Sequence, residues 1–233
     1  MRIIAGTSGF SYPEWRGRFY PEGLPESAML RFYADKLASV EVNNTFYRMP
    51  KASVLEAWQK AVPDQFAFAL KAPRRITHMA KLKNAGEALR LFLDAADSLG
   101  SKRAPVLFQL PPFLKKDVPL LADFVALLPE GLRAAFEFRH ASWFGDDVYT
   151  VLADRAVALC AAEVDADEGP GAPFVRTAPF SYVRLRRARY DGAGLDSALE
   201  RIRGLGVDEA FVYFKHEVEG PSYALDLLAR AAR

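Results

Sequence analysis

Eight short segments of this chain read as strands, several of them alternating residue by residue, and each is separated from the next by a longer stretch of different character. The clearest lies within residues 39–43, where Val40 and Val42 fall on one face and Glu41 and Asn43 on the other, the period of a strand. Comparable segments occupy residues 2–6, 66–71, 105–110, 134–139, 156–161, 181–186 and 210–215. Helical spacing fills the gaps at 27–37, 53–61, 85–99, 118–128, 144–154, 195–205 and from Ser222 to about residue 231. Ser53 and Glu56 read as a capping box opening the second of these helices. Strands that alternate with helices must pair in parallel through crossovers. Eight of them in 233 residues predict an α/β fold, a TIM-barrel-like (β/α)8 domain spanning residues 1–233. A doubly wound open sheet is the alternative, but its central strands are apolar on both faces. Here one parity is bulky (Val40, Phe68, Phe108, Phe136, Val212) and the other small or polar (Ala67, Ala69, Glu41, Glu137). That asymmetry predicts a rolled sheet with large side chains under the helices and small ones filling the interior. Residues 163–179 are acidic and rich in Gly and Pro, so the helix between strands 6 and 7 is expected to be poorly formed or missing. Asp165, Asp167 and Glu168 read as a solvated loop.

Charge and composition remove several function classes. Net charge is +2, with no basic tail, so a nucleic-acid partner is conceivable but unsupported by overall charge. The single cysteine, Cys160, rules out an intrachain disulfide framework and a thiolate metal cluster. No apolar run reaches the roughly 18 residues of a membrane span, and the N-terminal apolar run is too short for a signal peptide. The expectation is a cytoplasmic protein without a membrane partner.

Barrel sites form at the C-terminal ends of the strands. The inward parity there collects Glu41, Asn43, Lys71, Gln109, Glu137, Arg139, Arg184 and Lys215, with Thr7, Ser8, His78, His140 and His216 just beyond strand ends. Two carboxylates among four cations make the mouth electropositive, and arginines suit planar carboxylate or phosphate. Glu41 and Glu137 are candidate acid/base groups if their surroundings split their pKa values. Lys71 is a candidate base or Schiff-base nucleophile if desolvated. Against this stands a plain structural network in which these charges satisfy one another, although buried ion pairs are poor sources of net stability. Tyr12, Trp15, Phe19 and Tyr20, in the long segment 10–26, form either a stacking lid or the loop's own small core. Residues 6–9, Gly-Thr-Ser-Gly, either present N–H groups to an anion or make an ordinary turn. The histidines lack metal-ligand spacing, so no metal ligand is assigned and the cofactor is left unknown.

Several motifs together resemble the YecE-like family of uncharacterised proteins: Gly6-Thr-Ser-Gly-Phe-Ser-Tyr12 with Trp15, Val40-Glu-Val-Asn-Asn-Thr-Phe-Tyr47, Phe68-Ala-Leu-Lys71, Thr77-His78, Leu107-Phe-Gln-Leu-Pro-Pro112, Phe136-Glu-Phe-Arg-His140 and Tyr182-Val-Arg-Leu185. The resemblance implies a TIM-barrel-like fold and no established activity. It departs where the family typically shows Arg-Leu-His-Gly and this chain has Arg184-Leu-Arg-Arg187, and where the family shows Asn-Asn and this chain has Lys215-His216. Both departures add positive charge. Three functions stay open: binding of a small phosphate- or carboxylate-bearing ligand at the mouth with acid/base chemistry, a metal-assisted phosphodiesterase acting on nucleic acid, and a non-catalytic binding protein.

Overall fold

The computed structural model describes residues 1–165, 167 and 171–233; Glu168 lies outside the described residues. Eight strands form one parallel sheet: β1 (Arg2–Ser8), β2 (Ser39–Val42), β3 (Ala67–Leu70), β4 (Val106–Gln109), β5 (Ala134–Glu137), β6 (Ala158–Glu163), β7 (Phe180–Leu185) and β8 (Glu209–Phe214). Their order is β3-β2-β1-β8-β7-β6-β5-β4. The seam between β3 and β4 is stitched at two points. Ala104 N donates to Phe68 O at 2.9 Å and Ala72 N to Leu107 O at 2.8 Å. The sheet is therefore a nearly closed barrel, as the strand count predicts.

The helices are α1 (Glu26–Ala34), α2 (Asn44–Tyr47), α3 (Ala52–Ala61), α4 (Gly86–Ala96), α5 (Val118–Ala126), α6 (Asp146–Ala153), α7 (Gly192–Arg203) and α8 (Gly220–Ala231). The short α2 escapes a periodicity search because four residues make barely one turn. The capping box does not form: Lys51 is the N-cap of α3 and Ser53 already lies inside the helix. Strand β6 starts two residues later than the expected 156–161, because Ala156 turns the chain in the left-handed region at φ 51°. Helix α7 begins three residues early, where the Asp191 side chain caps it by accepting from Gly194 N at 2.7 Å. Gly192 and Gly194 hid that first turn, since glycine is a poor helix former. Among the described residues between β6 and β7 there is no α-helix; Ala162 and Ala172 instead form an antiparallel bridge.

The two faces of the sheet segregate as the parities predict. Val40, Phe68, Phe108, Phe136 and Val212 are fully buried in the layer between sheet and helices. The interior holds Ala69, Ala135, Ala158 and Cys160. It is not filled by small residues alone, however. Strands β7 and β8 contribute Phe180, Tyr182, Phe211 and Tyr213. The barrel fills unevenly: alanines on β3, β5 and β6 leave the volume that aromatic rings from β7 and β8 occupy, with Tyr182 and Tyr213 stacked obliquely at 5.1 Å.

Candidate functional site at the barrel mouth

One hydrogen-bonded chain of side chains crosses the C-terminal end of the barrel. It starts at β3, where Lys71 Nζ donates to Gln109 Oε1 at 2.8 Å. Gln109 Nε2 then donates to Glu137 Oε2 at 2.7 Å, which also accepts from Arg184 Nη1 at 2.6 Å. The other arm of the guanidinium, Nη2, donates to Glu41 Oε1 at 2.9 Å. Glu41 completes its set with Ser8 Oγ at 2.6 Å on Oε1 and Tyr182 OH at 2.7 Å on Oε2. The strand register produces this directly. It sets Ser8 beside Glu41 on β1 and β2, and Gln109 beside Glu137 on β4 and β5. Period-two alternation then points all of them inward.

The two carboxylates are not equivalent. Glu41 is fully buried and both oxygens are occupied. Glu137 is equally buried, but its Oε1 has no hydrogen-bond partner and faces Arg186 Nη1 at 3.6 Å. Burial pushes the Glu137 carboxyl up, but Arg184, then Lys71 and Arg186, outweigh it and hold it down to about 2. It is an anion throughout the neutral range and a weak base. Lys71 behaves oppositely. Burial, reinforced by the Arg184 charge, lowers it to about 8 against the pull of Glu137 and Glu41. Its ammonium also sits 4.2 Å from the centroid of the Phe46 ring. Lys71 is therefore a group whose charge changes near neutral pH, whereas Glu137 is not.

The remaining expected residues divide. Gln109 and Arg184 belong to the buried chain. Arg139 and Lys215 are partly buried and exposed respectively, close enough that His78 feels the charge of the first and Lys71 that of the second. His78 stands edge-on to Phe46 at 4.9 Å, and burial followed by Lys71 and Arg139 lowers its pKa. His140 Nδ1 accepts from Ser142 N at 3.1 Å, capping a 3-10 turn. Asn43 is half-buried at the start of α2. Tyr12 reaches back to Ser8 O at 2.8 Å.

Two expected contacts point elsewhere. Thr7 lies on the outer parity, where its N and Oγ1 meet Tyr33 OH of α1 at 2.9 and 2.8 Å. Trp15 is fully buried, packed on Tyr12, Phe19 and Tyr20 with centroids 4.9, 5.9 and 6.1 Å away. The long first loop thus makes its own small core, not a lid. Nor does the 6–9 turn offer free N–H groups, since Gly9 N donates to Glu41 O at 2.8 Å. Tyr182 and Arg186 were not singled out for the site by sequence. Both share the parity of Arg184, two residues before and after it, and that was the available signal. Among the described residues no three His, Cys, Asp or Glu side chains converge as a metal centre. A cavity of about 610 Å³ lies at the opposite end of the barrel, around Arg133, Arg155 and Phe180, away from this chain of groups.

Comparison with known proteins agrees with this architecture. Residues 4–233 match the family model described as "Protein of unknown function DUF72". The UPF0759 protein YecE of Escherichia coli K12 is 31% identical over 143 residues, 61% of this chain and 50% of that protein. The UPF0759 protein YunF of Bacillus subtilis is 29% identical over 138 residues, 56% of this chain and 49% of that protein. The chain thus spans about half the length of these curated relatives in the matched region. The crystal structure of a DUF72 family protein from Thermotoga maritima superposes with a TM-score of 0.89, 24% identity and full coverage of both chains, a likeness of fold.

Proposed function

The chain belongs to the DUF72 family of proteins of unknown function, and on that premise we propose that it binds a small phosphate- or carboxylate-bearing ligand at the C-terminal mouth of its barrel. The observation that carries this reading is the clustering of three cations beside Glu137. Lys71, Arg184 and Arg186 surround one carboxylate, and Glu41 is committed to Arg184, Ser8 and Tyr182. Lys71 and the two guanidiniums are drawn out of water beside Glu137, and charged donors grouped this way suit a phosphate or a carboxylate. Glu41 orients Arg184, Glu137 and Gln109 hold Lys71, and Lys71 is the group placed to meet the ligand. With its pKa near neutral it is also the candidate base or nucleophile, should the bound compound react.

Thermal-shift measurement with sulfate, then with phosphorylated and carboxylated metabolites, tests the reading. A true ligand at 100 times its Kd adds about 2.7 kcal/mol of stability. Lys71→Met should abolish that gain while leaving the protein folded. If no anion raises the melting temperature of the parent protein more than that of Lys71→Met, the proposal fails.

A further inference from the structure

The loops that follow β2, β3, β4 and β5 have a composition unlike the rest of the molecule. Residues 43–55, 71–86, 110–117 and 138–145 contain ten of the 31 Lys and Arg side chains and one of the 29 Asp and Glu, Asp117. Overall charge conceals this, because most acidic residues lie elsewhere; Asp147, in the first turn of α6, pairs with Lys116 at 2.6 Å. The loops also carry the exposed rings. Of 29 aromatic side chains, the large hydrophobics standing in solvent include only Tyr47, 73% exposed, and Phe113, 65% exposed. Both lie on this rim, and exposed Met79 lies between them in sequence.

Contacts between side chains join the loops into one surface. Tyr47 meets Phe46 at 5.1 Å, and Phe46 meets His78 of the next loop at 4.9 Å. Lys81 of that loop lies 5.3 Å over the Phe113 ring. Lys116 N donates to Ser142 Oγ at 2.9 Å, tying the third loop to the fourth. Arg48, Arg74, Arg75, Lys83 and Lys115 are exposed along the same loops.

From this juxtaposition we propose that the β2–β5 rim of the mouth is a docking surface for single-stranded nucleic acid. A run of cations with few acids tracks a phosphate backbone, and solvent-standing rings interleaved with it stack unpaired bases. A single small anion would use neither the length of the surface nor its rings. A folded protein partner would leave the exposed cations of this rim in need of an acidic face, and the rings flush against a groove. A base offers a flat π-face to an isolated ring at any sequence. The proposal stands apart from the small-anion reading, which rests on Lys71 and the groups buried beneath this rim.

Fluorescence anisotropy with a labelled 15-nucleotide oligothymidylate and its unlabelled duplex counterpart tests it on the intact protein. Expected are saturable binding of the single strand at 50 mM salt, steep weakening by 200 mM, and weaker binding of the duplex. Tyr47→Ala and Phe113→Ala should each weaken single-strand binding about tenfold without moving the melting temperature. Arg74→Ala with Arg75→Ala should lower the salt slope by about 1.4, two phosphate contacts at the single-strand value. Absence of binding at 100 µM protein in 50 mM salt would overturn the proposal. So would binding that the two ring variants leave unchanged, since that would mark an unspecific polyanion surface. Lys71→Met separates the two sites: loss of sulfate binding with the oligonucleotide retained leaves this surface standing, and the reverse leaves only the buried site.

Discussion

Lys71 and Gln109 face each other across the seam of the barrel, with the ammonium 2.8 Å from the amide oxygen. The seam is where β3 and β4 share few backbone bonds, so the pair is held by its side-chain neighbours and by Thr45, whose hydroxyl donates to Lys71 O at 2.7 Å. A lysine lowered to about 8 by burial holds its proton in the folded state less tightly than in the unfolded chain, where its reference value is 10.5. Between those values the unfolded chain binds more protons, so stability rises with pH; below about 8 the cost of the buried charge is present in full.

An anion that touches Lys71 must raise its pKa. Binding of sulfate near pH 8 should therefore take up about half a proton, because half the lysines are neutral beforehand. Calorimetry in buffers of different ionisation enthalpy measures this. Uptake should shrink at pH 6 and vanish in Lys71→Met. A heat of binding independent of buffer at pH 8 would show that the anion sits elsewhere.

Arg184 is the keystone of the buried chain, and its removal should be severe. It satisfies Glu41 and Glu137 at once, at 2.9 and 2.6 Å. Arg184→Met strands two carboxylates without water, and breaking a buried pair this way costs about 3–5 kcal/mol. At this chain length that is on the order of 10 °C in melting temperature. Glu137→Gln should also be destabilising at neutral pH, because it removes the carboxylate that Arg184, Lys71 and Arg186 face. Its signature lies in acid: the depressed carboxyl contributes stability that is present above the reference value of 4.5 and lost as pH falls toward about 2. Urea titrations from pH 5 to pH 2 should show a steeper loss in the parent protein than in Glu137→Gln. Parallel curves would mean that Glu137 is not held by its cations.

Gly6 is fixed by a close approach of backbone to backbone. A Cβ built there lies 1.9 Å from Ser39 O and 2.8 Å from Ser39 C, in paired strands that cannot separate without opening the barrel. Gly6→Ala should cost more than about 4 kcal/mol, the range reserved for strain or overpacking in a core, and show as loss of soluble protein or a collapsed denaturation midpoint. A midpoint within error of the parent would mean that β1 and β2 can slide apart locally.

How far the sequence reveals this arrangement depends on period. Strand parity placed Glu41, Lys71, Gln109, Glu137 and Arg184 on one inner surface because alternation is a local rule that each strand obeys alone. It could not tell that Glu41 would be saturated and Glu137 left with an open oxygen. That difference arises from Tyr182 and Ser8, on strands far away in the chain. Thr7 was misplaced for a related reason: at the end of β1 a shift of one residue exchanges the inner face for the outer. Trp15 looked available because loops without a period give no burial signal, and only the cluster with Phe19 and Tyr20 shows it is enclosed. The rim of like charge was visible residue by residue, yet net charge averaged it away until the fold set four loops side by side.

His216 shows what a departure from a family pattern can accomplish in structure. Its Nδ1 accepts from Val218 N at 3.2 Å and Glu219 N at 2.9 Å, satisfying N–H groups at the entry to α8. That leaves Nε2 as the donor, toward Ala188 O at 2.9 Å in the loop after β7. One imidazole therefore caps a helix entry and clamps two neighbouring loops of the mouth. An asparagine at this position has an oxygen for the N–H groups but is too short to span to Ala188 as well. His216→Asn should keep most of the cap, and His216→Ala should lose both functions at about 1 kcal/mol. Hydrogen exchange at Val218 and Glu219 reads the cap directly: fast in the alanine variant, slow in the asparagine variant and the parent. Equal exchange in all three proteins would show that the helix entry is held by its backbone alone.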